Sequence, residues 1–302
     1  MKTLVVIVGP TASGKTDVAI HLAKRYDAEI ISADSRQFYK EIPIGTAAPD
    51  AEQLAQVKHH FVGHLSIFDT YNVSKFEQDV MSLLEEQFNR KEIMFLVGGS
   101  GLYVDAVCKG IDDLPDPDEA LREELNKKFE KYGLEYLQQE LKRLDEAYYR
   151  QVDLKNPKRL MRALEVCLQT GKKYSELRKN KHADRPFNIL KIGLEVERQE
   201  LFKRIAFRTD LMIRSGWLEE AEKVYPYREL NSLNTVGYKE LFKYLDGEWT
   251  LEKAIEKIKT NTRRYAKRQM TWFKKDKQIT WFHPEDMTDM IRFLESNIKN
   301  ER

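Results

Sequence analysis

Apolar residues fall in two rhythms along the chain. Short unbroken runs, Thr3–Val8, Glu29–Ala33, Ile93–Val97 and Ile189–Val196, have the length and the Val/Ile/Leu content of strands buried on both faces. Ile279–Phe282 adds a short last one. Between these runs apolar residues recur every three or four positions, the period of an amphipathic helix. One such stretch is Asp17–Ala23; another carries Phe76, Val80, Leu83 and Leu84, with Ser74 placed to cap it. Strands alternating with helices predict an α/β fold on a parallel sheet core flanked by helices.

The texture changes at Asp112-Asp113-Leu114-Pro115-Asp116-Pro117-Asp118. From there to about residue 188 the chain is charged and helical. Leu121, Leu125 and Phe129 form one apolar stripe; Leu134, Leu137, Leu141 and Leu144 form another after Gly133. Asn156-Pro157 opens a further helix, with asparagine as cap and proline in the first turn, and Gly171 closes it. The sheet pattern returns only at Ile189. Residues 1–112 and 189–302 are therefore expected to form the α/β core. Residues 113–188 are expected to form an inserted all-helical subdomain, with Lys158 and Arg162 four apart on a basic helix face.

Chemistry enters at the end of the first strand. Gly9-Pro10-Thr11-Ala12-Ser13-Gly14-Lys15-Thr16 is a Gly-x-x-x-x-Gly-Lys-Thr phosphate loop of the P-loop NTPase type, with a strand before it and a helix after. Gly9 and Gly14 permit backbone shapes that carry no Cβ penalty. The loop amides and the positive end of the new helix then face an anion. Lys15 supplies a point charge for the distal phosphate oxygens, and the Thr16 hydroxyl is placed to ligate Mg2+. Linked phosphates are expected to bind across Gly9–Thr16.

Asp34 follows the second strand and is expected at the ligand-binding edge of the sheet, on the loop side. The third strand ends in Gly98-Gly99-Ser100-Gly101, where motor and switch NTPases place an acid; the glycines suit close approach to a ligand. With no Asn-Lys-x-Asp guanine signature either, a motor or a GTP switch is disfavoured. His59, His60 and His64 lie on an extended segment whose neighbours face opposite ways, which favours packing or substrate contact over a metal. Arg204 and Arg208 are four apart on a helix that starts at the ligand-binding edge.

The long helix from Leu251 to about Lys275 has an apolar face of Ile255, Ile258, Ala266, Met270 and Phe273. Lys259, Arg263, Arg264, Lys267, Arg268, Lys274 and Lys275 crowd the rest, interleaved with Tyr265 and Trp272. That mixture suits phosphate-backbone contact and base stacking.

Composition narrows the field. The 302 residues suffice for a core domain plus a smaller one. The net charge is only +2, so affinity for nucleic acid must come from local basic patches. The two cysteines, Cys108 and Cys167, cannot make a zinc site alone. Met1-Lys2 runs straight into the first strand, and there is no apolar stretch of about twenty residues. A cytoplasmic monomer with no membrane segment is expected.

Taken together, the motifs resemble one family, the bacterial tRNA dimethylallyltransferases. The resemblance runs nearly end to end. It rests on Gly9–Thr16, Asp34-Ser35-x-Gln37-x-Tyr39, Ile44-Gly45-Thr46-Ala47, Gly98-Gly99-Ser100-Gly101-Leu102-Tyr103, Arg162-Ala163-Leu164-Glu165, Val236-Gly237-Tyr238 and Lys267-Arg268-Gln269-Met270-Thr271-Trp272. This chain departs from the family at Ser100, Ala48 and Gly63-His64, where a threonine, a lysine and an aspartate are usual.

The resemblance implies an alkyl transfer from dimethylallyl diphosphate to N6 of an adenine, position 37 beside the anticodon of tRNA. By it, Thr11–Thr16 hold the donor, Asp34 is the base that accepts the N6 proton, and Arg208 is a second cation on the diphosphate. Asp34, Ser35, Arg36 and Gln37, together with Lys158, Arg159, Leu160, Met161 and Arg162, would contact tRNA. Ser100 and Arg122 or Glu123 would lie along the channel entrance and the insertion. Mg2+ is the implied cofactor. The target base must be turned out of its stack, and the insertion and basic helix would clamp the stem-loop. Three other readings use the same residues: a small-molecule kinase with ATP in the loop, a prenyltransferase of free adenine nucleotides, and an RNA-binding module with a vestigial loop.

Overall fold

A computed structural model describes residues 2–112, 114–179 and 183–299. Two compact units emerge: residues 1–108 with 184–302, and residues 109–183. The divisions fall four or five residues before those drawn from the change in sequence texture at 112 and 188.

The larger unit is built on six parallel strands, β1 (Thr3–Val8), β2 (Ile30–Ser32), β3 (His59–His60), β4 (Ile93–Gly98), β5 (Asn188–Leu194) and β6 (Ile279–Phe282), in the order β3-β2-β4-β1-β5-β6. β1 lies in the interior, Thr3 to Val8 in register with Ile93 to Gly98 on one side and Asn188 to Gly193 on the other. All six of its residues are buried. Their side chains alternate between two cores. Leu4, Val6 and Val8 pack with Phe76, Val80 and Leu84 of the helix Val73–Gln87 and with Val104 and Val107 of the helix Gly101–Lys109. Val5 and Ile7 pack with Val18, Ala19 and Leu22 of the helix Lys15–Arg25 and with Met290 and Leu294 of the helix Met287–Lys299. Each Leu, Ile or Val so buried contributes roughly 1.5–3 kcal/mol. The helix at 73–87 starts at Asn72, whose side chain accepts from Lys75 N at 2.9 Å; Ser74 lies inside the first turn and is not the cap.

The smaller unit is helical. Asp118 caps the helix Glu119–Leu144 by accepting from Leu121 N at 3.1 Å. Gly133, at φ 74° and ψ −169°, breaks that helix between the two leucine stripes. Leu125, Leu137 and Leu141 pack with Leu160, Ala163 and Leu164 of the helix Pro157–Thr170, which Asn156 caps and Gly171 ends at φ 68°. Asp145, fully buried, is satisfied by Tyr148 N at 3.0 Å, Ser175 N at 2.6 Å and Ser175 Oγ at 2.8 Å. Such saturation is what makes a buried carboxylate tolerable.

Candidate active site

Strand order decides what meets at the carboxyl edge of the sheet. The neighbours β2, β4, β1 and β5 deliver there, side by side, Asp34, the Gly98–Ser100 turn, the phosphate loop and the helix Arg198–Arg214. Edges of this kind are where open α/β sheets bind ligands.

The loop has the shape expected of its residue types. Gly9 lies at φ 155° and Gly14, the cap of the following helix, at φ 86°. Ala12 is held at φ 66°, a left-handed conformation that costs a residue with a side chain on the order of 1 kcal/mol. Lys15 Nζ donates to the Pro10 carbonyl at 2.8 Å. Two helices hold Thr11. Arg208 Nη2 donates to its hydroxyl, and its main-chain N–H donates to Gln269 Oε1 at 2.9 Å.

A cleft of about 610 Å³ opens over the loop, lined by Thr11–Thr16, Asp34, Gln37 and Arg208. Pro43, Ile44, Val97, Phe207, Leu211 and Met212 give it an apolar wall. Burial lowers the Lys15 ammonium to about 8, and the Arg208 charge pushes the same way while Asp34 opposes both. Burial raises the Asp34 carboxyl above the usual carboxylate range, against the pull of Lys15, Arg208 and Arg36. Burial also lowers the Arg208 guanidinium, which the Asp34 charge partly restores. One partly buried carboxylate therefore sits beside Lys15 and Arg208 in a cleft with an apolar wall.

Other residues singled out in the sequence have different partners. Arg36 Nη1 donates to the carbonyls of Asn231 and Ser232 at 2.9 and 3.0 Å. Gln37 is wedged between Ser32 Oγ at 3.0 Å and the Ala47 carbonyl at 3.0 Å. Ser100 Oγ accepts from Ser35 N at 3.0 Å and donates to Ser35 Oγ at 3.2 Å, tying the two turns together. In the helical unit Lys158 and Arg159 are exposed, and Glu123 is paired on the surface with Lys127 at 2.7 Å. Leu160 is fully buried in the core, so the expectation that its side chain meets RNA is corrected. Met161 is partly buried against the same core. Arg162 donates to the Pro115 carbonyl at 2.7 Å and lies 3.4 Å from Glu165, which is fully buried and also takes both ends of the Arg122 fork. The Arg162–Glu165 motif is thus first a clasp inside its own unit.

The glycines after β4 are also reinterpreted. A Cβ on Gly98 would lie 2.3 Å from the Ala33 carbonyl oxygen, one on Gly99 2.2 Å from Gln269 Nε2, and one on Gly101 2.4 Å from the Trp272 ring. Close packing of the protein itself requires them. His64 packs edge-on to Phe38, Phe61 and Tyr71, His60 Nε2 lies 2.6 Å from Glu29, and His59 Nδ1 lies 2.8 Å from the Val57 carbonyl.

The basic helix, observed as Leu251–Phe273, is less free than its composition suggests. Lys259 pairs with Asp210 at 2.6 Å and Lys274 with Glu195 at 2.5 Å. Trp272 Nε1 donates to Asp105 at 2.8 Å. Burial above all, with the Asp34 charge adding to it and the Ser100 side chain opposing, raises the Tyr265 phenol well beyond the usual value. Gln269, which bridges Thr11 N and the Gly99 carbonyl (2.9 Å each), was quoted in a motif but given no task. Its signal was available: a polar residue three after Ala266 and four before Phe273, in register with the buried face. Glu220 was missed altogether. Buried, it accepts from the amides of Ile44 and Gly45 at 2.8 Å each and from the Tyr238 hydroxyl, fixing the loop beside the cleft.

The parallel sheet, the glycine loop between strand and helix, and the cation-ringed cleft define a phosphate-loop-like α/β protein with a site suited to an anionic, partly apolar molecule. Comparison with known proteins narrows this. The family model described as IPP transferase matches residues 37–276. A tRNA dimethylallyltransferase 1 from Bacteroides fragilis is 54% identical over 298 residues, 99% of each chain. A tRNA dimethylallyltransferase from Christiangramia forsetii is 50% identical over 98% of each. Among solved structures, the full-length tRNA isopentenylpyrophosphate transferase from Bacillus halodurans is 37% identical, with a TM-score of 0.73 over 99% of this chain and 98% of that one. A eukaryotic dimethylallyltransferase acting on tRNA is 28% identical, with a TM-score of 0.74 over 90% of this chain and 70% of the other. The chain belongs to the IPP transferase family.

Proposed function

We propose that this chain is a tRNA dimethylallyltransferase: it moves the dimethylallyl group of dimethylallyl diphosphate onto N6 of adenine 37, beside the anticodon, and releases diphosphate. The observation that carries the reading is one cleft holding a phosphate loop, two partly buried cations, a partly buried carboxylate and an apolar wall. That wall gives a five-carbon allylic group a place to pack.

The reaction breaks the C1–O bond of the donor and forms C1–N6. Charge grows on the departing diphosphate, and preorganised donors aimed at it lower the barrier. The amides of Ala12–Thr16, Lys15 and Arg208 fill that role. Asp34 accepts the proton that N6 loses, and the Lys15 and Arg208 charges beside it favour its carboxylate form. The Thr16 hydroxyl is a hard oxygen donor in the same cleft, which fits Mg2+. Among the described residues no group of three His, Cys, Asp or Glu side chains converges on a metal, so the ion would share its coordination with diphosphate oxygens. Bound there, Mg2+ would neutralise leaving-group charge. Lys158 and Arg159, both exposed, contribute phosphate-backbone contacts to the anticodon stem-loop.

The test incubates the protein with an unmodified anticodon stem-loop, dimethylallyl diphosphate and Mg2+, and weighs the RNA. One dimethylallyl group on the adenine is the expected product. An unchanged RNA mass, or labelled γ-phosphate passed from ATP to an acceptor, would overturn the reading.

A further inference from the structure

Among the buried residues of the helix Leu251–Phe273 one is polar, Gln269, and both ends of its carboxamide are used. Oε1 accepts from the Thr11 N–H and Nε2 donates to the Gly99 carbonyl, each at 2.9 Å. We propose that Gln269 is a positioning residue for the donor diphosphate: it ties the phosphate loop to the turn after β4 and so keeps the loop amides facing the cleft. This rests on the reading of the cleft given above.

The argument starts from the residue after Thr11. Ala12 is held in the left-handed region, which a residue with a side chain leaves unless its neighbours prevent it. Thr11 is that restraint, and it is anchored twice, by Gln269 through the main chain and by Arg208 through the hydroxyl. Without the main-chain anchor the peptide between Pro10 and Thr11 is free to turn, and the Ala12 amide and those after it lose their fixed direction. Gly99 shows how closely the other end is fitted, since an added Cβ would stand 2.2 Å from Gln269 Nε2. A carboxamide joins one donor and one acceptor on a single planar group; an ionised carboxylate at this depth offers no donor and leaves the Gly99 carbonyl unsatisfied.

The test is calorimetric titration with inorganic diphosphate, and with a thiolo analogue of dimethylallyl diphosphate that does not react, in the presence of Mg2+. The variants are Gln269→Ala, Gln269→Glu, Gly99→Ala and the Gly99→Ala/Gln269→Ala pair. Thermal unfolding confirms that each is folded. Loss of two hydrogen bonds predicts affinity about tenfold weaker in each alanine single variant. The KM for the RNA should stay within about twofold, since the tether acts on the donor end alone. The pair should bind no more weakly than its weaker member, because the new Cβ fills space the carboxamide has left. Gln269→Glu keeps the shape and loses the donor while ionised; its affinity should recover as pH falls and the carboxyl regains a proton. Wild-type affinity in folded Gln269→Ala protein, losses that multiply in the pair, or a pH-independent Gln269→Glu would each overturn the inference. If the wild type modifies no RNA, the functional reading fails, while the diphosphate titrations still decide what Gln269 does.

Discussion

Arg208 reaches from its helix to the hydroxyl of Thr11, so a cation nearly two hundred residues along the chain is bonded to the phosphate loop itself. On the proposed reaction its fork would face the charge that develops on the departing diphosphate. Arg208→Ala should lower the transfer rate by about 10²–10³, the usual loss when one such donor is removed. Arg208→Lys keeps the charge but not the planar fork, and an intermediate rate is expected. Single-turnover transfer to a stem-loop checks both.

Asp34→Asn preserves shape and removes the proposed proton acceptor. Donor affinity should be retained while transfer drops by about 10²–10⁴, the range for loss of a general base. Calorimetry with the unreactive analogue, beside product mass, separates the two effects. Full activity would remove Asp34 from the mechanism.

The partly buried lysine gives a pH signature. Lys15 is charged below about 8 and neutral above it, so kcat/KM for the donor, which reports the free enzyme, should fall as pH rises through that value. Bound diphosphate favours the ammonium, so the alkaline limb of kcat should lie at higher pH. On the acid side, activity should be lost as Asp34 takes up a proton, at a pH above that of an ordinary carboxylate because burial raises it. Initial rates at varied pH and donor concentration give both profiles.

Removing different members of the Arg122–Glu165 clasp should cost different amounts. Glu165 is fully buried, whereas the Arg122 side chain is 43% exposed. Arg122→Ala leaves a buried carboxylate with only Arg162 for a cationic partner, and about 3 kcal/mol is expected. Glu165→Gln leaves arginines that water reaches, and about 1 kcal/mol is expected. Denaturant unfolding of the two variants should rank them in that order.

Gly237 lies at φ 102°, and a Cβ there would stand 2.0 Å from Trp217 Cζ2. Strain and overpacking together make Gly237→Ala destabilising by about 3 kcal/mol or more. A variant as stable as the wild type would show that the Trp217 ring can move aside.

The sheet and the phosphate loop were legible because their signals are local. Unbroken apolar runs and a glycine-lysine-threonine spacing need no distant partner to be recognised. Asp34 and Arg208 were legible from strand order, since each follows a strand ending at the same edge. What stayed hidden depends on contacts far apart in sequence. Gly99 looks like a ligand-facing glycine until Gln269 is seen against it. Arg162 looks like an RNA-facing cation until Glu165 and the Pro115 carbonyl claim it. The basic helix was read as a stacking platform because composition does not reveal which cations are already paired.

The register of β1 bears on how the polypeptide matures. Thr3 pairs with Asn188, so one flank of the interior strand is completed only after well over half the chain has been synthesised. Distant pairings of this kind pay their closure entropy before any contact repays it, and they form late. Until Asn188–Gly193 is available, that flank of an apolar strand has no partner even though β4 can already cover the other, the kind of open edge that makes partly folded chains prone to aggregate.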